Sequence, residues 1–503
     1  MGRNEHMVRR FNGSTITMTD DARRVNRGRA SREGPAETLR VVRPQGSRQA
    51  AFMLQVFILS AFIFPSDAVI RIVGAQGYLA SLVSLVLFLA WAVTALLGLH
   101  DPVHTRYPVR GALALLWICA LLSYAAMPLF TPNETQRLGA DRWMLLLVGM
   151  SGVILVTAEH LRSPADLLRV IRTLVWGGAF SGVVATLQFW FLWDLKPLLR
   201  LALPGFESGS AYGSFQGRDA LVRVSGTTIH PIELGVVAGM LLPVAIWLGI
   251  HDRERSPVRR WLPVGLIGMC IPMSVSRSAI LAVCVAMATF TICLPAKQRV
   301  WLFAFAPAAV VAIFATTPGY LRTIIGSITA GAEDASITNR LDNYPRVVAL
   351  VQQAPWLGRG GGTFLPEDAT RILDNQYLKS AIEMGVLGLA ALVLYFLVPA
   401  ITALHARART TSPELRSLCS ALAGAGLAAT VGAYTFDAFS FAQFASVHAV
   451  VLGLCGACWL AVQRWPAQTR IFPVPLTTAP LRPAEPASSP AAHRRRPVSP
   501  SEN

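Results

Sequence analysis

Charge is scarce in this chain, and lysine is the scarcest charge of all. Of 503 residues only 15% are charged, mean hydropathy is +0.47, and Lys196, Lys297 and Lys379 are the only lysines. A water-soluble protein of this length needs more charge to stay in solution, which argues against a soluble enzyme. Disulfide partners are missing too. All seven cysteines, Cys119, Cys270, Cys284, Cys293, Cys419, Cys455 and Cys458, fall inside apolar blocks, and no outer loop holds a pair. Cys455-Gly-Ala-Cys458 has the spacing of a redox or metal motif, but in an apolar helix it reads as two small packing residues. No apolar h-region lies near the start, so the N-terminus does not read as a cleavable signal peptide. A Walker-type phosphate loop is absent: Gly358–Gly362 lacks the Lys-Ser/Thr ending, which speaks against a nucleotide-driven reaction. His, Cys, Asp and Glu nowhere take a convincing metal-ligand spacing, so neither a metal nor another cofactor is expected.

What the chain has instead is apolar runs of about 17–25 residues, the length that crosses a hydrocarbon core of about 30 Å. Twelve spans are expected, at 49–65, 78–98, 111–130, 142–158, 170–193, 226–250, 261–275, 278–294, 300–317, 376–403, 417–436 and 441–463. The fold class is therefore all-α, a polytopic transmembrane bundle of about 12 spans. Residues 1–48 and 464–503, rich in Arg or in Pro, Ala, Ser and Arg, read as disordered tails. Between them lie bundle segment 49–317, loop 318–375 and bundle segment 376–463.

The net charge of +17 and pI near 10.4 would suggest nucleic acid in a soluble protein. Here the charge sits in tails and short loops, so no nucleic-acid partner is expected and membrane lipid headgroups are. Arg106, Arg110, Arg162, Arg169, Arg253, Arg255, Arg259, Arg260, Lys297, Arg299, Arg407, Arg409 and Arg416 fall in alternate loops. By the positive-inside rule those loops are cytoplasmic, and an even span count puts both termini on the cytoplasmic side of the cytoplasmic (inner) membrane. Two longer connections remain outside, from Asp194 to about Ser225 and from about 318 to 375. Within the second, Ile337–Gln353 has the pattern of an amphipathic surface helix.

Several residues break the bland pattern, and all fall on the outer side. Arg277 lies in a turn, Ser274-Val275-Ser276-Arg277-Ser278, where topology disfavours positive charge; it is either a snorkelling arginine or a fork for phosphate. Arg223 precedes Ser225, Thr227, Thr228, His230 and Pro231, either an ordinary capped helix start or an anion site. Arg340 and Arg346 flank Asp342 on the long loop, where a surface ion pair is the plain alternative. Asp374-Asn375 opens the tenth span; Asp374 is either its N-cap or a general base with a pKa raised by partial burial. Glu383 falls about 13 Å deeper by helical rise, where an ionisable group wants a partner, and Arg277 is one candidate. Asp437 sits in the last outer turn, as a turn former or a site residue.

Four segments together resemble the O-antigen ligase/O-antigen polymerase superfamily, over about residues 50–463. They are Arg223–Pro231 (RVSGTTIHP), Ser276-Arg277-Ser278-Ala279, Arg340 through Gly358-Arg359-Gly360, and Asp374-Asn375 followed after nine residues by Gly385 and Gly388. The last matches H-N-x9-G-x2-G with aspartate in place of histidine. The resemblance implies a GT-C-like bundle with a long, partly helical extracytoplasmic loop. It implies a metal-independent, inverting glycosyltransferase that takes glycan from undecaprenyl diphosphate and delivers it to a glycan or glycolipid acceptor. A complex with other polysaccharide-export proteins fits the same reading. Arg277 and Arg340 would hold the diphosphate, and the histidine's help to the acceptor hydroxyl would pass to Asp374. Arg223, His230, Asn375, Arg346, Glu383 and Asp437 are the further substrate-binding candidates. The aspartate points away from lipid-A-core ligation and towards polymerisation of polysaccharide repeats. A twelve-span secondary transporter or lipid flippase is the alternative; it would show matched repeats and mid-membrane acidic groups, neither of which is evident here.

Overall fold

The computed structural model describes residues 45–72, 77–209, 212–218, 221–300, 302–304, 335–365, 372–465 and 469–472, with backbone alone at 45, 218 and 335–342. Nearly all of the 1–48 tail, most of the expected span 300–317 and most of 464–503 lie outside the described residues.

The long helices are α1 (Gln45–Ile63), α2 (Leu79–Leu96), α3 (Pro108–Ala126), α4 (Glu134–His160), α5 (Pro164–Phe191), α7 (Pro231–His251), α8 (Pro257–Met273), α9 (Arg277–Ile292), α10 (Ala335–Gln353), α11 (Gln376–Arg409), α12 (Pro413–Thr435) and α13 (Ala442–Arg464), with a short α6 (Lys196–Leu201) after α5. Nine described helices are long and apolar enough to cross a membrane. The tight pair expected at 261–294 is also helical, as α8 and α9, of 17 and 16 residues. Each expected span other than 300–317 coincides with a helix. Two small antiparallel ribbons depart from the all-α expectation: β1 (Ala68–Val69) with β2 (Glu207–Ser208), and β3 (Phe215–Arg218) with β4 (Leu221–Val224).

Local chemistry sets where the helices begin. Pro108, Pro164, Pro231, Pro257 and Pro413 each take a first helical position, where a missing N–H costs nothing. Asn133 and Gln136 form a capping box at α4. The α2 and α3 helices turn Val86, Leu89, Val93, Ile118, Leu121 and Leu122 outward. That face would be an aggregation surface in water and is the natural lipid contact of a membrane bundle.

Successive helix ends gather on two sides. At the basic end Ser47 Oγ donates to Asp166 (2.6 Å), Arg172 pairs with Asp252 (2.7 Å), and an Arg407 N–H donates to the Cys293 carbonyl (2.9 Å). Buried Glu159 ties the α2–α3 connection down there, accepting from Trp91 Nε1 (2.8 Å) and Tyr107 Oη (3.0 Å). At the loop end the Ser66 N–H donates to the Thr227 carbonyl (2.9 Å) and β1 pairs with β2.

The stretch 464–503, read as a tail, supplies four described residues that return to the basic end. Ile471 and Phe472 are buried, and both their N–H groups donate to Glu414 Oε2 (2.6 and 3.1 Å). The Phe472 ring lies 5.4 Å from Trp247, whose Nε1 donates to the Glu414 carbonyl. Phe472→Ala is expected to lower stability by about 1–3 kcal/mol, read as a drop in the thermal unfolding midpoint in detergent. A wild-type midpoint would mean that this seat contributes no stability.

The α11 helix is not continuous. Gly385 has φ 65° and ψ −167°, so α11 is two helices meeting at a kink. The broken ladder is completed by the loop after α10. The Gly360 N–H donates to the Glu383 carbonyl (2.8 Å), the Val386 N–H to the Pro355 carbonyl (2.8 Å), and Ser123 Oγ from α3 also reaches the Glu383 carbonyl (3.0 Å). Non-helical backbone at membrane depth survives only when its polar groups are met in this way. Pro355-Trp356-Leu357-Gly358 is thus more than a helix terminator; it repairs α11.

Candidate functional site

The loop end carries Arg223, His230, Arg277 and Asp374. Arg277 is the first residue of α9, half-buried, behind a buried turn in which Val275 has φ 42°. A β-branched residue in the left-handed region is an outlier, and such strain clusters at functional sites. Arg223, on β4, donates from Nε to the Ser274 carbonyl (3.0 Å), so the β3–β4 ribbon braces the turn that carries Arg277. The first turns of α7 pack on the same turn: a Cβ on Gly235 would meet Ser274 and Ala279.

The α7 start corrects the expectation for it. Its N-cap is His230, whose Nδ1 accepts from the Ile232 N–H (3.2 Å), and not Ser225, Thr227 or Thr228. Those three are buried and spent on internal bonds, Thr227 to Ser181 and Thr228 to the Ser225 carbonyl. Glu233, also buried, accepts from the Ile229 and Phe444 N–H groups (3.0 and 2.9 Å). With a carboxylate already in its first turn, the helix start is not the ready anion site the sequence suggested. Burial, with Arg223 and Lys196 nearby, pushes His230 down to about 4, so the capping imidazole is neutral at pH 7.

Lys196 was missed by sequence reasoning. Its side chain is 1% exposed, and Nζ donates to Ser225 Oγ (2.8 Å) and the Thr228 carbonyl (2.7 Å). Burial holds it below the usual lysine range, against the pull of Asp67 and Asp194. Scarcity was the available signal: in a chain that uses arginine for topology, a lysine outside the basic loops has another task. Lys196→Met is expected to destabilise the 194–230 connection by about 1–3 kcal/mol, seen as faster limited proteolysis there. Unchanged proteolysis would remove this role.

Asp374 precedes α11 and is exposed, so the partial burial expected for it is not found. The N-cap is Asn375, whose side-chain oxygen accepts from the Tyr377 and Leu378 N–H groups (2.9 and 3.1 Å). One turn further, Lys379 Nζ pairs with Asp437 Oδ2 (2.7 Å), which also accepts from Ser440 Oγ. Asp437 Oδ1 is buried and has no hydrogen-bond partner among the described residues. Lys379 is the second residue that lysine scarcity could have found. Gln376 accepts from the Phe439 N–H (2.8 Å), and the Phe441 ring lies 6.1 Å from His230, which joins the α11 start to the α7 start.

Glu383 is fully buried, and its Oε1 accepts from the Phe364 N–H (3.2 Å). The carboxylate therefore meets the loop that repairs α11. Beside that loop lies a cavity of about 200 Å³, lined by residues that include Arg346, Arg359, Gln136, Thr363 and Phe364. Arg346, on α10, lines it together with Arg359, which was not singled out from the sequence. The Arg340 side chain, and with it the expected meeting of Arg277 and Arg340, lies outside the described residues.

The fold defines a polytopic helical membrane protein. Residues 262–393, from α8 through the α11 kink, match the family model described as O-antigen ligase. That family acts by glycosyl transfer between lipid-linked glycan and acceptor substrates. Comparison with curated proteins returned no match. The matched segment contains Arg277, Arg340, Arg346, Asp374, Asn375 and Glu383; Arg223, His230 and Asp437 fall outside it.

Proposed function

We propose that the protein is a metal-independent, inverting polysaccharide polymerase that extends undecaprenyl-diphosphate-linked glycan on the outer face of the cytoplasmic membrane. The observation that carries this reading is the strained, braced turn that presents Arg277 at the same end of the bundle as Asp374, inside the matched segment. The loop end is then extracytoplasmic and the basic end cytoplasmic, as the arginine-rich loops require.

In the reaction an acceptor hydroxyl attacks the anomeric carbon opposite the diphosphate. The new C–O bond forms as the bond to the diphosphate oxygen breaks, which inverts the centre. The electron pair leaves with the lipid diphosphate, and Arg277 and Arg340 stabilise that charge. The hydroxyl proton passes to Asp374, which is exposed at the mouth of α11 next to the Asn375 cap. Arg223 positions the Arg277 turn, and Asn375 and the Lys379–Asp437 pair fix the α11 start. The bond energy resides in the sugar–diphosphate donor, so no nucleotide is consumed.

The test is the glycan of a deletion strain. Loss of long chains with single repeats retained supports a polymerase. Accumulated lipid-linked polymer with no transfer to acceptor would overturn that in favour of a ligase.

A further inference from the structure

We propose that the cavity between α10, the loop after it and the α3–α4 connection is a subsite for one anionic sugar residue of the glycan. The inference rests on the glycosyltransferase reading and adds a substrate class to it. At about 200 Å³ the cavity is smaller than the ~300 Å³ where drug-sized pockets begin, so it suits one ring and not an oligosaccharide. Two guanidinium groups reach it from different elements, Arg346 from α10 and Arg359 from the loop, and none of its described lining residues is acidic.

Arg359 is the informative member. One of its terminal nitrogens donates to Gln353, while its Nε is buried with no hydrogen-bond partner among the described residues. The rest of the lining fits a sugar ring. Phe130 and Phe364 offer apolar faces, and Gln136 and Thr363 offer partners for hydroxyls. The chemistry recognised is a ring bearing a carboxylate or a phosphate. Among the described lining residues a neutral ring would find no acidic side chain opposite the two arginines, so the site discriminates by charge.

The location also connects the subsite to the reacting end. Ile382 lines the cavity and adjoins Glu383, and Phe364, another lining residue, gives its N–H to Glu383. A ring held here is fixed against the first half of α11, which begins beside Asp374.

The experiment uses the full chain in nanodiscs and measures binding of glucuronic acid, glucose and inorganic phosphate. Glucuronate is expected to bind at least about tenfold more tightly than glucose, and Arg346→Gln and Arg359→Gln each to weaken it about tenfold or more. Arg359→Lys, which keeps the charge, should retain part of the binding and guards against a folding defect. Equal affinity for glucuronate and glucose, or binding indifferent to Arg359→Gln, overturns the proposal. Phosphate that binds at the two arginines as tightly as glucuronate does so as well, because the site would then read an anion without its ring. Arg277→Ala separates the two readings: it should reduce transfer by about 10²–10³-fold and leave glucuronate binding unchanged. Normal transfer in that variant sinks the catalytic reading, and lost glucuronate binding sinks the separate subsite.

Discussion

Gly385→Ala should unfold the protein at a lower temperature and leave it without transfer activity. Two costs combine. The backbone at Gly385 lies in a region that only glycine adopts readily, and forcing another residue there costs about 1–3 kcal/mol. An added Cβ would also come within 2.4 Å of the Trp356 carbonyl group, a backbone contact that cannot swing aside. Overpacking of this kind costs about 1–3 kcal/mol more. Relief of either strain pulls the 355–360 strap off α11 and frees the polar groups it satisfies, at a depth where water does not replace them. Gly265→Ala in α8 is the control, because nothing lies within 4 Å of its added Cβ. A wild-type midpoint and activity in Gly385→Ala would show that α11 can straighten without harm.

Arg277→Ala is expected to reduce glycosyl transfer by about 10²–10³-fold, the usual loss when one preorganised donor to a developing anion is removed. Arg340→Ala should fall in the same range, with expression and thermal midpoint retained in both. Arg277→Lys should recover only part, since an ammonium cannot form the two parallel bonds of a guanidinium fork. Full activity in both alanine variants removes the diphosphate clamp. Asp374→Asn asks the companion question about the base. It preserves size, and because Asn375 does the capping it leaves the helix start intact. A loss of about 10²–10⁴-fold is expected for a general base, whereas unchanged turnover would assign Asp374 no part in proton transfer.

The candidate site was partly legible, and the reason differs by residue. Arg277 stood out because a lone arginine in an outer turn defies the topology bias. Arg346 stood out with its amphipathic helix, and the structure sets it in a cavity. Lys196, Lys379, Glu233 and Arg359 were passed over as site residues, since the value of each comes from a partner far along the chain: Ser225, Asp437, Phe444 and the cavity wall. The α7 start misled because Ser225, Thr227 and Thr228 look like caps in sequence, while in space a histidine caps and those hydroxyls face other helices.

Hydrophobic run length and proline at helix starts are properties of consecutive residues, and by themselves they located the long helices of the described bundle. Tertiary structure alone decided that α11 breaks at Gly385, that a strap after α10 completes it, and that Asp374 is left exposed while Asn375 caps. The break and its repair depend on backbone groups from distant segments satisfying one another where lipid supplies no hydrogen bonds, and no local pattern encodes which segment will arrive.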